Sequence, residues 1–301
     1  MREILINLVP VFGYFGLGLL LRGTGFADTG QARFLLKFVF FVTLPCLVLV
    51  KISATTLSGD KALLPLINII VNLACMSLML LFARFREIDR QSLGAMLISA
   101  MIVNNAFMFP FILAGFGDEA FADAVLFDFG NAIMTAGFTY GVAFKYGPEA
   151  HTTRTLIAKT LLSPLFWALV LAVLLSITAT ELPRISIRFL SPLAEMTSPL
   201  ILISLGIFFS PRMKNLSLVG VTIAIRMLAG LVTGIAIATL LGLSGTTFAV
   251  VALCSAAPVG FNALTFASLA ELDTRLAADV LSLSILIGVI VVPILMYLLQ
   301  P

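Results

Sequence analysis

Charged residues are scarce in this 301-residue sequence, of which they make up 11%. Soluble domains carry roughly 25% charged residues, so this shortage excludes a soluble globular protein. The single histidine, His151, excludes a histidine-based metal cluster or catalytic triad. Cys46, Cys75 and Cys254 lie in apolar runs without metal-ligand spacing and are expected to be small buried hydrophobes. These absences exclude most hydrolase and zinc-dependent functions, and we predict no enzymatic activity, no metal and no cofactor.

Apolar residues are abundant: they make up 60% of the chain, and the mean hydropathy is +1.14. A helix that crosses a bilayer needs about 20 consecutive apolar residues. Windows of that length predict ten spans, near residues 4–22, 34–54, 62–83, 92–114, 121–144, 156–178, 189–209, 216–241, 247–269 and 277–299. The first run is too long for the core of a signal peptide. The sequence therefore predicts an all-α integral membrane protein that retains its first span.

The longest polar gap between predicted spans, at residues 145–155, separates five spans from five. Because five is odd, the second half enters the membrane from the opposite side, so any similarity between the halves makes them an inverted-topology repeat. Weak similarity is present, since Thr43–Pro45 matches Thr197–Pro199 at nearly the offset at which Pro110 matches Pro258. We predict a first five-helix repeat at 1–146, a cytoplasmic connection at 147–155 and a second, inverted repeat at 156–301.

Lysine and arginine are distributed unevenly over the short connections between the predicted spans. One side of the membrane holds twelve of them and the other holds five. Since basic connections stay in the cytoplasm, we expect both termini outside and the protein in the bacterial inner (plasma) membrane. The net charge of +3 then follows from topology and contact with anionic lipid, and no nucleic-acid partner is expected.

Predicted spans 4 and 9 contain amides and a proline at membrane depth: Asn104, Asn105 and Pro110 in one, Pro258 and Asn262 in the other. A helix broken in hydrocarbon survives only where protein or a polar cavity satisfies the freed backbone groups, and paired breaks in two halves point to a transporter site. The breaks should expose half-helix N-termini, which favour anions. The amides either donate to a carboxylate, accept from a cation, or only satisfy the unwound backbone. We assign all five residues to a candidate substrate-binding site.

Asp128 and Asn131 share one face of predicted span 5 at helical spacing. A carboxylate at that depth is a proton or cation site, a partner in a structural ion pair, or an acid that burial keeps neutral. We predict a coupling or structural polar role for these two residues, and for Thr43 and Pro45 in span 2. Gly130 should allow close helix approach.

Arg226 is the only basic residue well inside a predicted span, near the middle of span 8. It either attracts an anionic substrate or neutralises Asp128. Alternatively, it caps carbonyl groups of an unwound helix, or extends its long side chain towards the membrane surface. We include Arg226 among the candidate substrate-binding residues and leave these alternatives open.

In this order and spacing, the motifs resemble the auxin efflux carrier family, whose bacterial members include malate and malonate permeases and whose plant members include the PIN auxin carriers. The resemblance covers essentially the whole chain. It rests on Leu44-Pro45, Asn104 to Pro110, Phe116-Gly117-Asp118-Glu119, Asp128-Phe129-Gly130-Asn131-Ala132, Pro258 to Ala263, and Leu281-Ser282-Leu283-Ser284 leading to Pro293.

The resemblance implies a ten-helix inverted-repeat fold like that of sodium/proton antiporters and bile-acid symporters, with spans 4 and 9 crossing at their breaks beneath the substrate. Spans 1, 2, 6 and 7 would form a scaffold and the others a moving domain, which gives elevator-like alternating access. Asn104 or Asn105 and Asn262 would lie near the substrate carboxylate, with Pro110 and Pro258 at the crossing. The chain lacks the glycine that usually precedes the first of these prolines, and it lacks the long central loop of the long plant carriers.

These observations predict a secondary active transporter, or permease, for a small organic anion, a mono- or dicarboxylate such as malate, malonate or an auxin-like acid. Its expected partners are that anion, the lipid bilayer and a coupling proton or sodium ion. A homodimer through the scaffold helices is also expected. Two alternatives stay open: a sodium-coupled symporter similar to bile-acid carriers, and a membrane sensor that binds a ligand without transporting it.

Overall fold

A computed structural model describes residues 2–54, 59–148, 164–208 and 216–300. In these residues all regular structure is helical, apart from one isolated β-bridge. The α-helices, numbered in chain order, are α1 Arg2–Gly23, α2 Thr29–Phe38, α3 Leu44–Ser53, α4 Leu64–Ala83, α5 Arg90–Met101, α6 Asn105–Met134, α7 Tyr140–Tyr146, α8 Pro164–Ile177, α9 Arg184–Glu195, α10 Thr197–Phe208, α11 Leu216–Ile223, α12 Gly230–Leu240, α13 Gly245–Ser255, α14 Asn262–Leu269 and α15 Thr274–Leu298. Three π-helical segments, Val39–Thr43, Thr135–Thr139 and Ala224–Ala229, continue α2, α6 and α11, and a 3-10 turn, Gly59–Leu63, precedes α4.

Among the described residues, five helical stretches are long and apolar enough to cross a membrane: Thr29–Ser53, Lys61–Ala83, Arg184–Phe208, Leu216–Leu240 and Thr274–Leu298. Val9–Gly23, Pro164–Ile177 and Gly245–Ser255 are shorter apolar helices. The predicted all-helical class is confirmed, whereas the count of ten spans and their inverted repeat stay predictions. The predicted central connection, with His151, and the start of predicted span 6 lie mostly outside the described residues.

The second predicted span begins earlier than expected, at Thr29, because Asp28 caps it. The Asp28 carboxylate accepts from the backbone N–H groups of Gly30 and Gln31, and the Gln31 side chain accepts from the Asp28 N–H at 2.9 Å. This reciprocal arrangement is a capping box. A hydropathy window misses such a polar first turn, which explains the difference.

Helix α6 runs from the second half of predicted span 4 into predicted span 5, and Gly117 is the residue in it with a non-helical backbone. Gly117 has φ 81° and ψ −165°, a conformation that glycine adopts without the steric cost that a side chain would add. The predicted connection between these spans is therefore reduced to one non-helical residue.

The chain divides into two compact units. The first comprises Met1–Ala62, Phe109–Val125 and Ala158–Phe209. Within it, α1 packs along α10, and α3 packs along α8 and α9. Gly18 of α1 and Gly206 of α10 meet at the first of these contacts, where a Cβ added to Gly206 would lie 2.8 Å from the Gly18 Cα. Small residues that let two backbones approach are typical of helix pairs in membranes.

The second unit comprises Leu63–Met108, Leu126–Ile157 and Ser210–Pro301. Helix α5 contacts α4, α7, α14 and α15, while α12 packs against α4 and α13. The C-terminal parts of α5 and α13, residues 94–101 and 249–255, are buried at every position. Helices that are apolar on all sides belong in a protein core. The ends of α5 and α13 therefore lie in the core of this unit.

Candidate functional site

Both predicted helix breaks are present, and both lie in the second unit. The first separates α5, which ends at Met101, from α6, which begins at Asn105. The second separates α13, which ends at Ser255, from α14, which begins at Asn262. Each break thus joins the C-terminus of one half-helix to the N-terminus of the next.

The two breaks pair with each other. Val103 and Val259 form an antiparallel β-bridge. Two backbone hydrogen bonds of 2.9 Å flank it, from the N–H of Asn104 to the carbonyl of Pro258 and from the N–H of Gly260 to the carbonyl of Ile102. The bridge satisfies backbone groups that neither half-helix can satisfy internally, as a break at membrane depth requires.

Polar side chains satisfy the backbone groups that the bridge leaves over. Asn131 accepts from the Val103 N–H and donates to the Val103 carbonyl, both at 3.3 Å. The Ser284 hydroxyl accepts from the Val259 N–H at 3.1 Å and donates to the Leu281 carbonyl at 2.9 Å. Asn131 was predicted as a polar residue of the site. Ser284 was not predicted as a site residue, although it lies in one of the motifs that carry the family resemblance; the signal that could have found it is a serine in the middle of an apolar span.

The first break lies earlier than predicted. Its non-helical residues are 102–104, and Pro110 lies within α6. Proline removes a hydrogen bond to the carbonyl four residues before it and clashes with that carbonyl, so it disturbs the turn that precedes it. Asn104 restarts the helix, because its Oδ1 accepts from the Phe107 N–H at 3.1 Å. Pro258, by contrast, lies inside the second break and is buried.

Asn104, Asn105 and Asn262 mark the starts of α6 and α14. Asn104 and Asn105 are 3% and 1% exposed, whereas Asn262 is exposed. Within the described residues, Nδ2 of Asn104 and Oδ1 of Asn105 have no hydrogen-bond partner. An unsatisfied buried polar group costs roughly 1–3 kcal/mol, so a polar molecule that pairs with these two atoms would gain that energy. The start of α6 is therefore the part of the crossing best suited to bind a polar molecule.

Asp128 is hydrogen-bonded to the first residue of α6, Asn105. Its Oδ1 accepts from Nδ2 of Asn105 at 2.8 Å and from Nδ2 of Asn131 at 2.9 Å. The neighbouring Gly130 lies against α4, where an added Cβ would be 2.8 Å from the Pro65 carbonyl carbon. This confirms the predicted close helix approach. The carboxylate thus connects the first residue of α6 to the side chain that holds Val103.

Arg226 is fully buried in the π-helical segment after α11. Its Nη1 donates to Oδ1 of Asn72 at 3.0 Å and to the Ala100 carbonyl at 3.1 Å, and its Nη2 donates to the Ser255 carbonyl at 2.8 Å. In the part of the chain that the structure describes, no acidic side chain lies within 4.0 Å of it. These contacts correspond to one of the predicted roles of Arg226, the capping of carbonyl groups at helix ends. A direct contact of Arg226 with substrate stays a prediction.

Asn68 and Asn72 support the guanidinium. These α4 residues share one face at i and i+4, a spacing typical of polar residues that join membrane helices. Asn72 donates to Oδ1 of Asn68 at 2.7 Å and accepts from Arg226 with its own oxygen. The missing signal was the identity of the facing helix, which spacing within α4 does not reveal.

Thr43 and Pro45 belong to the first unit, and both are buried. Pro45 lies in the first turn of α3, where the missing N–H has little cost. The Thr43 hydroxyl has no hydrogen-bond partner among the described residues. A coupling or structural role for these two residues stays a prediction.

Comparison with known proteins points to membrane transport proteins. Residues 148–296 match the family model described as membrane transport protein. The match covers 149 residues, just under half of the chain, and shows what this part of it is similar to. The match also confirms the resemblance to the auxin efflux carrier family.

Two archaeal relatives are similar along nearly their whole length. A protein of Methanothermobacter thermautotrophicus named "Uncharacterized transporter" is 25% identical over 284 residues, which cover 92% of each chain. The "Uncharacterized transporter MJ1031" of Methanocaldococcus jannaschii is 25% identical over 291 residues, which cover 93% of this chain and 92% of the relative. Both relatives are named transporters, and the family model is described as membrane transport protein.

Proposed function

We propose that this protein is a secondary active transporter that carries a small organic anion, a mono- or dicarboxylate such as malate, malonate or an auxin-like acid, across the bacterial inner membrane. The observation that carries the proposal is that α6 and α14 both begin beside the Val103–Val259 bridge. A helix N-terminus has a partial positive charge of about half an elementary charge and unpaired N–H groups that bind carboxylates. The unpartnered Nδ2 of Asn104 adds a donor at the same place.

The proposed mechanism is elevator-like alternating access in a ten-helix inverted repeat. The composition of the two compact units supports it, because the first contains the described parts of predicted spans 1, 2, 6 and 7, the expected scaffold, together with Phe109–Val125 of predicted spans 4 and 5. The matching use of Asn131 and Ser284, each from the span that follows a break, is what a repeat would produce. In this arrangement both termini lie outside, and the scaffold helices are available for a homodimer.

Uptake of labelled malate, malonate and indole-acetate into proteoliposomes tests the proposal. We expect saturable uptake by the wild type and a loss of roughly tenfold or more in Asn104→Ala and Asn262→Ala, the effect of one lost hydrogen bond to a charged group. Ser77→Ala is the matched control and should transport normally, since Ser77 is exposed and its hydroxyl donates to the Leu73 carbonyl of its own helix. Wild-type kinetics in both asparagine variants would show that the substrate binds elsewhere. Saturable binding without flux would favour the sensor alternative.

Asp128 is the proposed coupling residue. Its carboxylate connects Asn105, at the start of the substrate site, with Asn131, which holds the backbone of the bridge. Both amides bind the same carboxylate oxygen, so a proton or cation would bind the other. A change of charge there would weaken or strengthen both amide contacts at once, which ties the occupancy of the coupling site to the geometry of the substrate site.

Uptake measured against imposed pH and sodium gradients tests the coupling role. Asp128→Asn should still bind the anion but should lose gradient-driven accumulation. Asp279→Asn is the matched control, because this half-buried aspartate of α15 makes none of the proposed coupling hydrogen bonds. Full transport with unchanged gradient dependence in Asp128→Asn would reduce the residue to a structural role, and a sodium requirement in the wild type would favour the symporter alternative.

A further inference from the structure

Arg226 brings one positive charge to the point where two interrupted helices end. Ala100 lies in the last turn of α5 and Ser255 is the last residue of α13, and the guanidinium donates to the carbonyl groups of both. We propose that Arg226 is a positioning residue that neutralises the C-terminal ends of both half-helices, and thereby preserves the positive potential of the two N-terminal ends for the anion. This inference rests on the proposed anion transport.

The charges at this point balance. The C-terminus of a helix carries about −0.5 elementary charge, so the ends of α5 and α13 together carry about −1. The guanidinium carries +1 and is not deprotonated in proteins. Residues 94–101 and 249–255 are buried, so water screens these charges little. The two carbonyl groups, together with Asn72, therefore take the place of the carboxylate partner that a buried arginine ordinarily needs.

The N-terminal ends of α6 and α14, on the other side of each break, keep their positive partial charge. The starts of α6 and α14 carry about +0.5 each. The side-chain oxygen of Asn104 caps the first, and no side-chain hydrogen bond caps the second. Without Arg226, the partial charge of about −1 at the two C-terminal ends would repel an anion. This repulsion would offset the attraction from the partial charge of about +1 at the two N-terminal ends. Because Coulomb energy is proportional to the charge of the ligand, the loss for a dianion is twice the loss for a monoanion.

The sequence around Arg226 leaves room for this contact. Gly230, one turn after Arg226, faces the same carbonyl: a Cβ there would lie 2.6 Å from Nη2 of Arg226 and would collide with the Ser255 oxygen. Gly234 follows one turn later, where a Cβ would meet the Ser255 side chain. Arg226 itself is carried by the π-helical segment Ala224–Ala229, and π-bulges frequently occur at functional sites.

Binding of two anions of nearly equal size tests the electrostatic role. Malonate is a dianion, and its half-amide malonamate is a monoanion. We would measure both dissociation constants by calorimetry at one ionic strength, for the wild type, Arg226→Gln and Arg226→Lys. If Arg226→Gln raises the constant for malonamate n-fold, the constant for malonate should rise by about n squared. Arg226→Lys keeps the charge, so it should retain the wild-type ratio of the two constants.

Melting temperatures test the structural half of the proposal without any substrate. Arg226→Lys should melt below the wild type, because an ammonium group lacks the fork that reaches both carbonyl groups. Gly230→Ala should also melt lower. Gly220→Ala is its control on the same predicted span, since a Cβ at Gly220 meets nothing within 4 Å.

Each result decides the proposal. Equal fold-changes for the two anions in Arg226→Gln would mean that the guanidinium binds one carboxylate directly, and unchanged constants would mean that its charge does not reach the site; either overturns the inference. If Arg226→Gln does not fold, equal melting of Gly230→Ala and Gly220→Ala overturns it instead. If the wild type binds neither anion, the proposed function fails, while the melting comparison still tests whether Arg226 holds the helix ends.

Discussion

Gly260→Ala is expected to separate the two breaks at their crossing. An added Cβ would lie 2.7 Å from Cγ2 of Ile102 and 2.8 Å from the Val103 carbonyl oxygen. The Ile102 methyl group can rotate away, but the Val103 carbonyl is held by Asn131. Ordinary contact begins at 3.4 Å, so the backbones must move apart by about 0.6 Å, the difference between 3.4 and 2.8 Å. That movement stretches the 2.9 Å hydrogen bond from the Gly260 N–H to the Ile102 carbonyl to about 3.5 Å, beyond the usual range.

The expected cost combines two effects. A lost buried hydrogen bond costs about 1 kcal/mol and overpacking costs about 1–3 kcal/mol, so Gly260→Ala should lose about 2–4 kcal/mol of stability. Gly141→Ala is the control, because a Cβ at this helical glycine meets nothing within 4 Å and alanine favours the helix by up to about 1 kcal/mol. Unfolding of the purified proteins in one detergent, followed by the fluorescence of Trp167, measures both. Equal midpoints for the two variants would refute the claim that the breaks are in tight contact.

Three further predictions concern other parts of the molecule, and all are measured as unfolding midpoints. Lys61→Met removes the lysine of a buried 2.9 Å ion pair with Asp123 and should lower the free energy of unfolding by about 3–5 kcal/mol. Lys51→Met acts on a more exposed pair and should lower it by about 0–1 kcal/mol. Similar losses in the two variants would contradict the difference in burial. The backbone N–H of Ser92 holds the pKa of Asp89 below its usual range. The cap is therefore fully stabilising above the unfolded pKa of about 3.9 and is lost as pH falls through the folded value, so Asp89→Ala should melt below the wild type at neutral pH and the gap should close in acid. Gly130→Ala should cost about 1–3 kcal/mol, and an unchanged midpoint would mean that α4 and α6 are not in close contact there.

The chemistry of the breaks was largely predictable from the sequence. Prolines and amides inside apolar runs are local features, and a run of about 20 apolar residues predicts a helix wherever it occurs. The positions of the ends were less predictable. The first break lies at 102–104, before Pro110, because a proline acts on the preceding turn and Asn104 then caps the new helix.

The partners of the polar side chains could not be predicted. Asn131 was expected on a polar face, but not that it would hold both backbone groups of Val103 from 28 residues away. The Ser284 hydroxyl accepts a hydrogen bond from the N–H of Val259, which lies 25 residues earlier in the chain. Such contacts depend on which helices are neighbours, and the spacing within one helix does not contain that information.

The sequence by itself determined the class of protein and its two interrupted helices, because hydrocarbon admits only helices whose backbone is satisfied. The tertiary structure alone decided what Arg226 contacts. Its acceptors lie 154, 126 and 29 residues away, and the carbonyl groups among them become acceptors only because two separate helices end at the same point. The charge of an arginine is local, but the partial charges that it balances exist only once both half-helices have formed and met.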